Sequence, residues 1–186
     1  SDNNDLTSVI HFAAQAGVRY SRINPYSYEH ANIKGLLVLL ETVRSLCRLQ
    51  HFIFASSSSV YGSLTKLPYS IKDTTDQPIS FYGATKKGGE VICHSYAHLY
   101  SIPVTCLRFF TVYGPWGRPD MAAHLFTKNI LSGQAINVFN HGDMRRDFTY
   151  IDDCVAGVLG CVDRAPASIK GAAPFAVFNI GNSRSE

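Results

Sequence analysis

The sequence predicts an α/β fold built on a mainly parallel, doubly wound sheet. Short apolar runs alternate along the chain with longer segments of helical periodicity, and this alternation requires right-handed crossovers between parallel strands. The chain has 186 residues, of which 46% are hydrophobic and 17% are charged. It is therefore long and apolar enough to bury a core. We expect its ligands to bind where the strands end at their carboxyl edge.

The first half of the chain supplies three predicted strands and two long helices. An apolar run at residues 9–14 predicts a buried strand. Leu36, Leu40, Val43 and Cys47 recur at helical spacing and predict a helix over residues 28–49. The remaining elements of this half are a strand at 52–55, a helix at 81–100 and a strand at 104–110.

The second half has a looser rhythm. Residues 121–131 have a helical pattern, and Gly133 lies where a C-terminal cap is expected. A short strand is predicted at 136–139 and a last one at 175–180. Between them, Asp152 or Asp153 is expected to cap a helix that runs to about residue 164.

The net charge and the spacing of the cysteines argue against several classes of function. The net charge is only +3 and the basic residues are scattered, which argues against a nucleic-acid partner. The five cysteines include no Cys-x-x-Cys pair, so we expect free thiols in a reducing compartment and no metal. The longest aliphatic run, 36–40, is too short for membrane contact. A cytoplasmic location is expected, with an anchor upstream of residue 1 left open.

Two polar groups follow predicted strands. Tyr82 and Lys86 are four residues apart and share one helix face. An ammonium beside a phenol lowers the phenol pKa, so such a pair can serve as a general acid–base at a sugar hydroxyl. Serines occupy positions 56–59, and one hydroxyl there could share the substrate oxygen with the phenol. The alternatives are a solvated helix face and a serine-rich turn.

Five motifs in order resemble the extended short-chain dehydrogenase/reductase family. The Ser-Ser-Ser-Ser-Val-Tyr-Gly segment at 56–62 is followed by Tyr82-x-x-x-Lys86. Similar family motifs cover residues 11–19, Asn32-x-x-Gly35, 108–115 and 146–153. Segments 15–19 and 117–121 are similar in particular to UDP-glucuronate 4-epimerases. The resemblance spans essentially the whole chain.

The resemblance implies a Rossmann-like doubly wound sheet, present in part, with part of a smaller C-terminal substrate-binding region. Residues 1–115 would be a partial NAD-binding domain that carries the catalytic residues. Residues 116–186 would be a partial UDP-sugar-binding region interleaved with the sheet. The family's glycine motif and its C-terminal end have no counterpart here, so the resemblance implies a fragment, whose own activity is left open.

The implied activity is NAD-dependent epimerisation at C4 of a UDP-sugar, with UDP-glucuronate converted to UDP-galacturonate through a 4-keto intermediate. The catalytic residues would be Ser57, Tyr82 and Lys86. Contacts to NAD would come from Ala13, Ala14, Gln15, Asn32, Tyr82 and Lys86. Contacts to substrate would come from Ser58, Thr111, Arg118 and Arg146. A homodimer formed through the two long helices is also implied.

Several alternatives stay open. Arg118 suits a uronate carboxylate because its planar fork can bind both oxygens, but it could instead be a surface arginine anchored by Asp120. The protein could be another epimerase, dehydratase or decarboxylase of the family, or a non-catalytic scaffold. Ser58 and Ser59 stand where dehydratases and decarboxylases of the family carry acidic residues, which favours epimerisation.

Overall fold

The computed structural model describes residues 5–186, with the backbone alone at Phe139. Its strands are β1 Ser8–His11, β2 His51–Ser57, β3 Val104–Phe109, β4 Thr111–Tyr113, β5 Phe148–Tyr150 and β6 Phe175–Ile180. Its α-helices are α1 Pro25–Tyr28, α2 Gly35–Val43, α3 Phe81–Tyr100, α4 Ala122–Leu131 and α5 Ile151–Val162. A π-helical segment, Glu29–Lys34, joins α1 to α2, and 3₁₀ helices occur at Tyr20–Arg22, Ser58–Tyr61 and Phe139–Gly142.

Four strands form a parallel sheet in the order β1-β2-β3-β6. Ser57 pairs in register with Phe109, and Phe109 with Ile180, so three strands end at the same edge. Apolar side chains pack against both faces: Leu36 and Leu40 of α2 on one, Val158 of α5 on the other. The predicted parallel α/β fold is confirmed. β6 completes the sheet from the C-terminal part of the chain, while the division at residue 115 stays a prediction.

The helix that carries Tyr82 and Lys86 has the predicted bounds. Ser80 caps its start by accepting a hydrogen bond from the amide of Gly83 at 3.0 Å, and Ser101 ends it in a left-handed conformation. A Cβ on Gly89 would lie 2.5 Å from the ring of Phe54. The glycine therefore allows α3 to approach β2 closely, which brings the first turns of the helix to the end of that strand.

The other long helix differs from its prediction at both ends. It begins at Pro25, because Asn24 accepts a hydrogen bond from the amide of Ser27 and proline suits the first helical position. The π-helical segment interrupts it, and it ends at Val43 rather than at residue 49. Leu36, Leu40 and Val43 are buried as the spacing predicts, whereas Cys47 lies beyond the helix and is exposed.

Two predictions in the second half are wrong. The segment 136–139 forms no strand, since no strand within residues 5–186 pairs with it, and Phe139 begins a 3₁₀ helix. Tyr150 occupies the N-cap position of α5 without a side-chain cap hydrogen bond. Asp152 and Asp153 lie in the first turn instead, where their negative charges interact favourably with the helix dipole. The expected left-handed Gly133 follows α4 with φ +66°.

A second, two-stranded sheet pairs β4 with β5 in parallel. The sequence did not predict β4 or β5, because three-residue strands are too short to show a periodicity. No helix in residues 5–186 is long and apolar enough to cross a membrane.

Candidate active site

Ser57, Tyr82 and Lys86 come together at the carboxyl edge of the main sheet. Ser57 ends β2 and accepts a hydrogen bond from the amide of Ser59 at 3.1 Å, which caps the 3₁₀ helix that follows. Its hydroxyl also interacts with the phenol of Tyr82. Lys86 donates to the carbonyl of Ala55 at 2.8 Å, and its Nζ lies 6.0 Å from the centre of the Tyr82 ring. The structure thus assembles the predicted catalytic cluster from a strand end and one helix face.

The electrostatics of the pair differ from the expectation. Burial raises the pKa of Tyr82, and the Ser57 hydroxyl and the charge of Arg118 only partly oppose this. Burial lowers the pKa of Lys86 to about 8. The amine beside the phenol therefore loses its proton more readily than an exposed lysine does. The predicted lowering of the Tyr82 pKa by Lys86 is wrong for this form of the protein.

Asn32 ties the loop after β1 to α3. Its Oδ1 accepts from the amide of Gln15 at 2.8 Å, and its Nδ2 donates to the Gln15 carbonyl and to the Thr85 hydroxyl, both at 3.0 Å. Ala13 and Ala14 precede Gln15 in this loop and lie just past the end of β1. All three Asn32 contacts are to protein groups, so its side chain positions the loop. Its predicted contact with NAD stays a prediction, as do those of Ala13, Ala14 and Gln15.

Sequence reasoning missed Tyr28, which is fully buried next to Tyr82. Its ring packs edge-on against the Tyr82 ring at a centroid distance of 6.1 Å. Its hydroxyl donates to the carbonyls of Ala16 and Gly17 at 2.9 and 2.5 Å. The signal was available, because Tyr28 lies four residues before Asn32, on the same helix face.

Arg118 reaches the cluster from the loop after β4. Its guanidinium lies against Gly17, where an added Cβ would be 3.2 Å away. Burial raises the pKa of both Tyr28 and Tyr82, and the positive charge of Arg118 partly opposes this rise. It also pairs with Asp120 through two contacts, one from Nε to Oδ1 at 3.0 Å. The expected Asp120 anchor is therefore present, and Arg118 also lies near Tyr28 and Tyr82, while its approach to a bound sugar stays a prediction.

The other three residues that are predicted to bind substrate are Ser58, Thr111 and Arg146. Ser58 directly follows Ser57 and is half-buried, and Thr111 opens β4, where its amide donates to the carbonyl of Asp147 at 3.1 Å. Arg146 is exposed, and its guanidinium donates to the carbonyl of Arg145 at 2.8 Å. That contact does not involve the cluster. Substrate binding by Ser58, Thr111, Arg118 and Arg146 stays a prediction.

A cavity of about 280 Å³ opens beside Arg118. Its walls include Phe110, Tyr113, Trp116, Met121 and Ile151. An apolar wall with one arginine at its margin suits a ligand that combines a ring with an anionic group. The residues that line this cavity do not include Ser57, Tyr82 or Lys86.

The parallel sheet, with a serine, a tyrosine and a lysine gathered at its carboxyl edge, defines a nucleotide-binding α/β protein of the dehydrogenase type. The chain belongs to the NAD dependent epimerase/dehydratase family, whose profile matches residues 1–181. The predicted family is thereby confirmed.

Individual relatives are similar over almost the whole chain. UDP-glucuronate 4-epimerase 3 of Arabidopsis thaliana is 56% identical over 96% of this chain and 44% of its own length. Protein CapI of Staphylococcus aureus is 52% identical over 94% of this chain and 55% of its own. The structure of UDP-glucuronic acid 4-epimerase from Bacillus cereus in complex with UDP-glucuronic acid and NAD matches with a TM-score of 0.86 and 38% identity, covering 100% of this chain and 58% of that one. The chain thus spans about half the length of the relatives it matches.

Proposed function

We propose that the full-length protein, meaning this chain with whatever its gene encodes on either side, is an NAD-dependent UDP-glucuronate 4-epimerase. The observation that carries the proposal is the meeting of the Ser57 hydroxyl, the Tyr82 phenol and the Lys86 amine at one sheet edge. Similarity to UDP-glucuronate 4-epimerases at 56% identity supports this choice of substrate. Ser58 and Ser59, where relatives that dehydrate or decarboxylate carry acidic residues, support epimerisation.

The residues present fit the nicotinamide end of NAD. Lys86 offers an amine beside a phenol at the carboxyl edge of a parallel sheet, and the loop of Ala13 and Ala14 borders the same edge. The printed sequence contains no Gly-x-Gly-x-x-Gly segment for the pyrophosphate. When bound, NAD would accept hydride from C4 of the sugar and later return it.

In this mechanism Tyr82 handles the proton. Its phenolate takes the proton from the 4-hydroxyl as C4 is oxidised to a ketone, and its phenol gives that proton back when C4 is reduced from the opposite face. Ser57 donates a hydrogen bond to the same oxygen. Lys86 would hold the nicotinamide ribose, and its protonated form would stabilise the Tyr82 phenolate. Arg118 holds the sugar carboxylate through its fork.

The fixed carboxylate also protects the ketone. Oxidation at C4 creates a β-keto acid, which loses CO₂ readily when the C5–carboxylate bond lies perpendicular to the ketone. Arg118 lies against Gly17 and near Tyr82, so it can hold that bond away from the perpendicular. Its pairing with Asp120 would be exchanged for pairing with the substrate.

The test is an assay of the full-length protein with NAD⁺ and UDP-glucuronate, read by anion-exchange chromatography and by absorbance at about 340 nm. We expect UDP-galacturonate, with no net reduction of NAD⁺, because each turn regenerates the cofactor. UDP-glucose is the matched control substrate and should react far more slowly. Net reduction of NAD⁺, or UDP-pentose as the main product, would overturn the assignment.

We also propose a cytoplasmic homodimer formed by α2 and α3. The two helices pack side by side through a Tyr96–Glu41 hydrogen bond and leave apolar side chains exposed, among them Leu37, Val38 and Val91. All five cysteines are free thiols, which supports a reducing compartment. Val38→Glu should convert a dimer to a monomer in sedimentation velocity, while Leu159→Glu, at an exposed position of α5, should not. A wild-type monomer would refute the dimer.

A further inference from the structure

A buried ion pair lies behind the active site. Glu90 of α3 accepts two hydrogen bonds from Arg108 of β3, from Nε to Oε1 and from NH2 to Oε2, each at 2.8 Å. Both side chains are only 4% exposed. A buried pair gives up the solvation of two charges, and apolar residues of similar volume often stabilise a protein as well or better. Net stability is therefore a weak explanation for this pair.

The contacts of the pair extend to both sides of Ser57. Ser56, the preceding residue, donates its hydroxyl proton to Glu90 Oε1 at 2.6 Å. Tyr61 ends the 3₁₀ helix that Ser57 caps, and its hydroxyl accepts from Arg108 at 3.0 Å while donating to Asn179 at 2.7 Å. The end of β2 and the 3₁₀ helix that follows it are thus both hydrogen-bonded to the Glu90–Arg108 pair.

The pair also fixes α3. Glu90 lies one turn beyond Lys86 and two turns beyond Tyr82 on that helix. Near this turn α3 rests on β2 through Gly89 and the ring of Phe54, an apolar contact that has no directional preference. Bidentate hydrogen bonds to a guanidinium are directional, so they define both the rotation and the height of the helix.

Other titratable groups around Glu90 do not replace this role. Lys87 approaches Oε2 from α3 at 3.9 Å and is partly exposed. Cys106 faces the pair from β3, and the negative charge of Glu90 contributes to raising the pKa of its thiol. Tyr61 lies on the far side of Arg108, with its ring centre 4.9 Å from the guanidinium carbon.

We infer that Glu90 and Arg108 are positioning residues, which hold Ser57 in register with Tyr82 and Lys86 for the reaction. The inference rests on the proposed function for the reaction itself. Neither residue touches the reacting atoms. A displacement of about 1 Å in such a cluster can reduce the rate about 100-fold, which is a sufficient reason to keep a buried charge pair.

The opposite end of β2 provides a matched control. His51 is buried there, with Nε2 2.8 Å from the hydroxyl of Thr105 and Nδ1 3.0 Å from the carbonyl of Val162. This polar link also joins two strands and a helix, but it lies at the amino edge of the sheet. Thr105→Val should lower thermal stability and leave kcat within about twofold of wild type, because it disturbs packing away from the catalytic edge.

The decisive variant replaces the whole polar unit: Ser56→Ala, Glu90→Leu and Arg108→Met together. No fully buried charge is then left unpaired, since Lys87 is partly exposed, so we expect a folded protein with a melting temperature close to wild type. We expect kcat of the full-length protein to fall about 100-fold, with KM for UDP-glucuronate within about threefold. Loss of kcat without loss of stability is a result that a purely structural role would not produce.

Three outcomes overturn the inference. The first is a wild-type kcat in the triple variant, and the second is a loss of kcat in Thr105→Val that bears the same relation to lost stability as the loss in the triple variant. The third is a loss of affinity for UDP-glucuronate with kcat unchanged. If the triple variant does not fold, Glu90→Gln combined with Arg108→Gln, which leaves no buried charge unpaired, takes its place in both measurements. If wild type does not epimerise UDP-glucuronate, the proposed function fails by itself. Crystal structures of wild type and variant then decide, since an unchanged separation of Ser57 and Tyr82 would refute positioning.

Discussion

The residues proposed for catalysis and those proposed for substrate recognition lie in regions that differ sharply in burial. Ser57 and Lys86 are 8% and 4% exposed and belong to elements packed into the main sheet. Arg118 is 45% exposed, and the neighbouring helix α4 has no buried side chain within residues 5–186. The core therefore holds the groups that are proposed to react at defined distances, while the residues that are proposed to select the sugar depend on contacts beyond the core.

The largest effect is expected on the buried side, at Tyr82. Tyr82→Phe keeps the ring that packs against Tyr28 but removes the transferable proton, so kcat should fall by about 10³-fold or more. Circular dichroism should remain unchanged. The parallel control is Tyr113→Phe in the open cavity, which should retain most activity. Near-normal turnover of Tyr82→Phe would show that another group moves the proton.

The second-largest effect is expected on stability against unfolding, and it comes from the buried amine of Lys86 in the protein without bound nucleotide. The pKa of Lys86 is about 8 when folded, against 10.5 for the unfolded chain. Between these values the unfolded chain binds one more proton, so stability rises with pH across that window; below pH 8 both states are protonated and the folded state carries the burial cost. Relative to Lys86→Met, wild type should gain about 3 kcal/mol from pH 7 to 10.5.

Chemical denaturation at a series of pH values measures this gain. Lys128→Met, on exposed α4, is the matched control and should follow wild type at every pH. If the stability difference between wild type and Lys86→Met does not change with pH, the Lys86 amine is solvated in the folded protein. The difference in burial between the two regions then has no effect on the charge of Lys86.

On the exposed side, Arg118→Ala should raise KM for UDP-glucuronate by one or two orders of magnitude, about 1.4–3 kcal/mol. UDP-glucose should be handled nearly as before, and UDP-pentose should appear because the carboxylate is no longer held. Arg118→Lys retains the positive charge but loses the planar guanidinium that can bind both carboxylate oxygens. Its KM for UDP-glucuronate should lie between those of wild type and Arg118→Ala. If Arg118→Ala discriminates between the sugars as well as wild type, another residue reads the carboxylate.

The smallest of the four effects is expected at Ser57. Ser57→Ala removes one hydrogen bond at the reacting oxygen, worth about 1–3 kcal/mol when buried, so kcat should fall about 10-fold to 100-fold. Ser63→Ala, six residues further along the chain and exposed, should have no effect. A Ser57→Ala loss as large as that of Tyr82→Phe would mean that the serine, rather than the tyrosine, is the main proton donor.

Local signals in the sequence predicted much of the fold and of the buried half of the site. The bounds of α3 and β6 agree with their predictions, because an amphipathic helix and a short buried strand each carry a periodicity of their own. The spacing of Tyr82 and Lys86 likewise placed both on one helix face. The strand predicted at 136–139 was wrong, since apolar residues alone do not provide a neighbouring strand.

By itself, the sequence determined the parallel α/β class, the family and the three side chains that are predicted to be catalytic. Only the tertiary structure showed that Tyr28 packs on Tyr82, that Glu90 meets Arg108 behind Ser57, and that burial raises the Tyr82 pKa. The reason is physical. Periodicity records which face of an element is buried, whereas contacts between residues such as Ser56 and Glu90, 34 positions apart, and the desolvation they produce, exist only once the elements have packed.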